Sequence, residues 1–434
     1  MSFGTDYANM LAPRDLSVPA LAILACFVCA LASGAAAEPM RDLVLRDYAV
    51  AFGLTHPEET WVETDPDRVA VGQRLFESVL LSSERDTACA SCHLDRFGSA
   101  DGLPIAVGVE GQGSGPDRVR RGGDPQPRNA LPLWGRGGVG FDTLFWDGRV
   151  EALPSGTVHS QFGRDAPSDD PLTVAAHLPP LQLGEMVFDR DSTFDAYERE
   201  AVDAAKAFGE VIVERLRTES DIVDALGIAL DIRPAAVSYT DAMGAVAQFI
   251  AHNFRLQETR FHAFVFGNSA LTLEELRGGL TFYGKGQCVA CHNGAYFSDM
   301  DHHVIAFPQL GFGANGFGVD YGRYNVTQDP GDLFAFRTPP LLNVARTAPY
   351  GHSGSVPDLK TAIRLHVDPL AVTLPEGLAP EDRQQYARRL GLWAQGYPVV
   401  ATLTDRDVTD LVAFLNTLNY ESASPVAEID VNER

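Results

Sequence analysis

Cys89-Ala90-Ser91-Cys92-His93 and Cys288-Val289-Ala290-Cys291-His292 are the two stretches from which this chain is best read. Each is a C-x-x-C-H pentapeptide, the attachment motif of c-type haem. Two thiols three positions apart reach both vinyl groups of one porphyrin, and the adjacent histidine then binds the iron from one face. A structural zinc site would need four converging protein ligands, and its usual spacing does not set His directly after the second Cys. A redox Cys-x-x-Cys normally sits in a thioredoxin-like βαβ pattern, which neither motif has around it. Two covalent haem c groups are therefore expected, attached through Cys89, Cys92, Cys288 and Cys291, with His93 and His292 as iron ligands.

The other two cysteines, Cys26 and Cys29, fall in a stretch that reads as an export signal. Arg14 precedes an apolar run from Val18 to Leu31, and Ala35-Ala36-Ala37 follows ahead of Glu38-Pro39. Residues 1–37 are expected to be a signal peptide cleaved after Ala37, the run being short and Ala-rich for a membrane anchor. All the mature cysteines then belong to the two motifs, and the expected location is the periplasm. The formal charge of -24, from 58 acidic against 34 basic residues, argues against nucleic acid or an anionic membrane as partner. With 434 residues, 45% of them hydrophobic, the chain is long enough for two ordinary cores.

A short amphipathic helix precedes each motif. The first is expected to begin at Asp65-Pro66, a cap followed by proline at the first helical position, and to present Val69, Leu75 and Phe76. The second begins with Thr272 and Glu275 in capping-box spacing and continues through Leu276, Leu280 and Phe282. Gly72 with Phe76 and Gly278 with Phe282 repeat one spacing, a faint internal duplication. Residues 199–258 read as mostly helical, including Ala235 to Leu256 directly after Pro234. Thr404 to Leu418 carries one apolar face through Val408, Leu411, Val412, Leu415 and Leu418. Gly and Pro gather at 98–140 and 307–357, where loops would wrap a flat cofactor. The expected fold class is mainly α: two cytochrome-c-like haem domains, residues 38–205 and 206–434, with long irregular loops and little strand.

Beyond the two motifs, the chain carries Arg128-Asn129, Phe145-Trp146-Asp147-Gly148-Arg149, Glu185-Met186 and a long run from Phe336-Arg337-Thr338-Pro339 to Ala348-Pro349-Tyr350-Gly351-His352-Ser353-Gly354. In order and approximate spacing, from about Val71 to Tyr420, these resemble the bacterial di-haem cytochrome c peroxidases and their relative MauG. The resemblance implies that the N-terminal haem, on His93, is the peroxide site and that the C-terminal haem, on His292, feeds or stores electrons. It implies Trp146 as the indole between them and Glu185 as the distal acid, although the segment joining the two is longer than in typical members. A carboxylate there would take the proton from one peroxide oxygen and return it to the leaving one. Asn129, Thr347 and Pro349 stand where relatives bind calcium, an ion suited to carbonyl oxygens.

Two departures from the family pattern bear on the chemistry. Many relatives close the peroxide haem with a second His on the loop matching Ala106-Val107-Gly108-Val109-Glu110-Gly111, and Val109 stands at that place here. The first haem is then expected to be open, unless His159 or His177 closes it. At the second haem, counting from His352 to the place of the usual Met, or of MauG's Tyr, lands on His366, a competent iron ligand. Met300, His302 and His303 are its competitors. The leading functional expectation is a peroxidase acting on hydrogen peroxide with electrons from a small periplasmic cytochrome c or cupredoxin. Its alternatives are a MauG-like enzyme that oxidises residues of a partner protein, and a di-haem electron carrier. The sequence leaves the oligomeric state open, a homodimer included.

Overall fold

Local signals set the helix starts. In the computed structural model, which describes residues 34–188, 201–309, 311–372, 380–396 and 402–420, the first helix, α1, is Gly34–Ala51. The apolar run Val18 to Leu31 lies outside the described residues. Helix α2 is Pro66–Phe76, and the Asp65 carboxylate accepts hydrogen bonds from the backbone N–H groups of Asp67 and Arg68 at its open end. There follow α3 (Pro171–Ala176), α4 (Ala201–Glu219), α5 (Ile222–Leu230), α6 (Tyr239–Asn253), α7 (Arg260–Phe266) and α8 (Leu273–Tyr283). Thr272 and Glu275 cap α8 reciprocally, as their spacing predicts. The last three of the longer helices are α9 (Leu359–Val367), α10 (Pro380–Gly396) and α11 (Asp405–Asn416).

The helix expected from Ala235 starts later. Pro234–Ala236 forms a single 3-10 turn, and the capping box of Ser238 and Asp241 then opens α6. Strand is scarce, as expected. A three-stranded antiparallel ribbon joins β1 (Thr143–Leu144), β2 (Val150–Ala152) and β3 (Val158–His159). The pair β4 (His302–His303) and β7 (Phe336–Arg337) and the hairpin β5 (Phe312–Gly313) and β6 (Gly316–Phe317) complete it. Among the described residues no helix is long and apolar enough to cross a membrane.

The internal duplication has a packing cause. Helix α2 lies against α6, and α8 lies against α11. Both contacts are too close for a side chain at the crossing. A Cβ on Gly72 would stand 2.0 Å from the Ala245 carbonyl oxygen, and one on Gly278 would stand 1.9 Å from that of Asp410. Phe76, one turn after Gly72, packs on Phe249 at 5.1 Å between ring centres, and Phe282, one turn after Gly278, packs on Phe414 at 5.2 Å. The Gly-x-x-x-Phe repeat therefore builds two equivalent helix pairs, one behind each haem motif.

Contacts cross the expected division between residues 205 and 206. Helix α6 packs on α2 and α3, and its Val246 and Ile250 line the cavity beside the first motif. Helix α1 packs instead on α7 and α8, beside the second. One continuous apolar core runs through both halves. The boundary drawn from sequence follows the order of the motifs, whereas burial of the helix faces groups α4 to α6 with the first half and α1 with the second.

Overpacking a helix crossing typically costs about 1–3 kcal/mol, so Gly278→Ala is expected to lower stability by at least that much in denaturant melts. Gly391, in α10, has nothing within 4 Å of a built Cβ. Gly391→Ala is the control, expected to be neutral or stabilising by about 0.5–1 kcal/mol.

Candidate functional site: two cavities joined at Trp146

Each C-x-x-C-H motif winds one tight turn, Cys89–Ser91 and Cys288–Ala290. The His93 amide donates to the Cys89 carbonyl at 3.1 Å and the His292 amide to that of Cys288 at 2.8 Å. That turn sets both thiols and the imidazole on one wall. The thiols are free and half-buried: Cys89 and Cys92 line a cavity of about 430 Å³, Cys288 and Cys291 one of about 200 Å³.

Both histidines are oriented alike. His93 Nδ1 lies 2.9 Å from the Ser99 carbonyl oxygen and His292 Nδ1 lies 3.0 Å from that of Phe297. A carbonyl only accepts, so Nδ1 carries the proton and Nε2 keeps its lone pair for a metal. Burial pushes both imidazoles down to about 4, which keeps them neutral near pH 7.

The first cavity also holds Glu185, Arg149 and Trp146. Burial raises the Glu185 carboxyl above its ordinary range, and the Arg149 guanidinium pulls it partly back. The segment 106–111 does not sit as the sequence suggests. Ala106, Val107 and Gly108 line the cavity, whereas Val109 is fully buried outside it, its N–H donating to the Gly184 carbonyl. The absence of a ligand from this loop therefore rests on Ala106 to Gly108 rather than on Val109. Neither competing histidine reaches the cavity. His159 is exposed on β3, and His177 is buried with Nδ1 on the Thr173 carbonyl and Nε2 on Thr240 Oγ1.

In the second cavity, His366 on α9 faces His292 with 6.4 Å between ring centres. Its Nδ1 donates to the Ala362 carbonyl at 2.7 Å. Of the competitors, Met300 and His302 do not line this cavity; Met300 Sδ contacts Ser298 Oγ and Arg337 Nη1, and His302 lies against Gly148. His303 does line it, but its Nε2 is 2.8 Å from Asp299 Oδ2, and that bond, with help from Cys291, lifts it to about 10. That bond turns the ligating nitrogen of His303 to Asp299.

Trp146 lines both cavities and donates from Nε1 to the Asn129 carbonyl at 3.0 Å. Asn129 also borders both, and Thr347 and Pro349 border the second.

The comparisons agree with this architecture. The family model for di-haem cytochrome c peroxidase matches residues 66–270. Cytochrome c peroxidase Ccp of Escherichia coli (strain K12) is 26% identical over 357 residues, 82% of this chain and 59% of that protein. The methylamine utilization protein MauG of Paracoccus denitrificans (strain Pd 1222) is 27% identical over 419 residues, 90% of this chain and 98% of that one. Along most of its length the chain is similar to the di-haem cytochrome c peroxidases and MauG. In fold it is similar to a solved MauG-like protein associated with microbial copper homeostasis, with a TM-score of 0.62 at 24% identity, over 86% of this chain and 96% of that one.

Likeness to a di-haem family implies two haem c groups, and the residues present fit them. Two imidazoles on one metal, each bonded at about 2.0–2.1 Å, would have ring centres roughly 6.3 Å apart, close to the observed 6.4 Å. Two buried guanidiniums also lack carboxylate partners among the described residues. Arg136 borders the first cavity and bonds a carbonyl through Nε; Arg337 borders the second, with Nη2 buried and unpaired. Burial presses both below their ordinary value, and Arg136 presses Arg337 further. Buried charges of one sign call for an anion, which the two propionates of a haem supply. Sequence reading missed both residues: Arg337 sits in a family run without a distinguishing signal, and Arg136 carries none.

His366→Ala is expected to open the second haem, so that added cyanide or imidazole binds it in an absorption titration. His303→Ala should leave its coordination unchanged.

Proposed function

We propose that this chain is a periplasmic peroxidase that reduces hydrogen peroxide to water, with electrons from a small cytochrome c or cupredoxin. The composition of the first cavity carries the reading. It offers one neutral imidazole, His93, and one buried carboxyl group, Glu185, with no second imidazole among its described lining residues. A haem held there by Cys89, Cys92 and His93 would supply the iron and the electrons that cleave the O–O bond.

Two electrons and two protons convert one peroxide into two waters, so a proton carrier must work inside the cavity. Glu185 removes the proton from one peroxide oxygen and returns it to the other, which then leaves as water. His93, fixed through Ser99, anchors the iron. Of the residues bordering both cavities, Trp146 has the aromatic ring suited to pass electrons between them. On this reading His292 and His366 hold the electron-feeding haem, and Asn129, Thr347 and Pro349 hold calcium at the edge of the second cavity.

One observation also favours a MauG-like reading, in which peroxide oxidises residues of a partner protein. Ala106 to Gly108 bring no closing ligand to the first cavity from this loop, which favours reaction of the fully oxidised protein with peroxide without prior reduction.

As a base Glu185 must be ionised, and its carboxyl is raised. The active form is therefore lost as pH falls through that raised value, and the acid limb of turnover should lie above the ordinary glutamate value of about 4.3. Glu185→Gln is expected to keep both haems, lose that limb and turn over about 10² to 10⁴ times more slowly. Turnover at the parent rate would place the proton path elsewhere.

A further inference from the structure

The loop that wraps the second cavity also reaches the first. Ala314, between β5 and β6, lines the peroxide cavity. Further along the same loop, Asp320 is fully buried and grips Arg128 with both oxygens, from Nε at 2.7 Å and from Nη2 at 2.9 Å. Arg128 borders the first cavity and turns its remaining nitrogen, Nη1, to Asp147 Oδ2 at 2.6 Å. Arg149 holds Asp147 as well, Nη2 to Oδ2 at 2.9 Å and Nε to Oδ1 at 3.1 Å. Arg149 in turn faces the Glu185 carboxyl. The charges alternate along Asp320, Arg128, Asp147, Arg149 and Glu185, and of these five Asp320 alone comes from the second half of the chain.

Such a chain is a poor device for stability, because desolvating buried ions costs about as much as their attraction returns. It is a good device for orientation: a guanidinium fork that bonds a carboxylate through two nitrogens fixes its own plane and the direction of its third. We propose that Asp320 is a positioning residue of the peroxide site, holding Arg128 so that Asp147 stays shared and Arg149 keeps its distance from Glu185. The proposal rests on the reading of Glu185 as the proton carrier.

Its consequence has a sign. Without the Asp320 charge, Arg128 turns wholly to Asp147 and competes with Arg149 for it. Arg149 is released toward Glu185, the ionised carboxylate is favoured, and the acid limb of turnover moves to lower pH. The other titratable or charged groups facing Glu185 are Arg128 and Arg136 on the cavity wall, His93, Cys89 and Cys92 on the haem-binding turn, and Asp124 against Gly184. Of these, Arg128 is the one that touches Asp320.

The test is the pH profile of peroxide turnover for the two-haem protein, its Asp320→Asn, Asp320→Ser and Asp320→Glu variants, and Glu185→Gln. The neutral variants should move the acid limb down by about half a pH unit or more, and Asp320→Glu should restore it. Limbs in Asp320→Asn and Asp320→Ser that coincide with the parent's, while Glu185→Gln abolishes the limb, would overturn the proposal alone. A limb that survives in Glu185→Gln would overturn the reading of Glu185 and the proposal with it.

Discussion

A hydrogen bond from each proximal histidine to a backbone carbonyl is the constraint on which the two centres depend. Ser99 and Phe297 accept the Nδ1 protons of His93 and His292. Each acceptor lies in the loop just after its motif, so loop and motif are fixed as one unit. Both imidazoles thereby present the lone pair of Nε2, and the tight Cys-x-x-Cys turn sets the thiols on the same wall. The helix pairs behind, crossing at Gly72 and Gly278, give each unit a rigid floor. The irregular loops can then differ between the two halves, and on the proposed reading those differences divide the work between an open cavity and a closed one.

What was legible in the sequence is what short-range chemistry writes there. The two pentapeptides, the Asp65 cap and the Thr272 capping box are local patterns, and each element starts where its pattern places it. Counting also pointed to His366, which α9 places in the second cavity. Val109 shows where counting stops: in an irregular loop the backbone decides which side chain faces inward, and here Val107 does so while Val109 is turned away. Helix partners are likewise not written locally, because α1 and α6 choose theirs by apolar face rather than by position in the chain. Arg136, Arg337 and Asp320 have significance only through burial, which no local pattern announces.

The two halves are bound most closely where their charges are buried. Arg128 lies under the ion pairs that join Asp320 to the Trp146 turn, and Arg337 donates from its backbone N–H to the Trp146 carbonyl. Trp146 is thus held from both sides while bordering both cavities. On the proposed reading, an indole fixed in this way suits electron passage between two haems, and Glu185 nearby would let electron and proton delivery proceed in one enclosed space.

The account depends on one cavity being open and the other closed by a pair of imidazoles. Electron paramagnetic resonance of the fully oxidised, two-haem protein reads this directly. One high-spin and one low-spin ferric haem, in equal amounts, is the predicted result. Two low-spin haems would contradict it, because a further ligand would then have to close the first cavity.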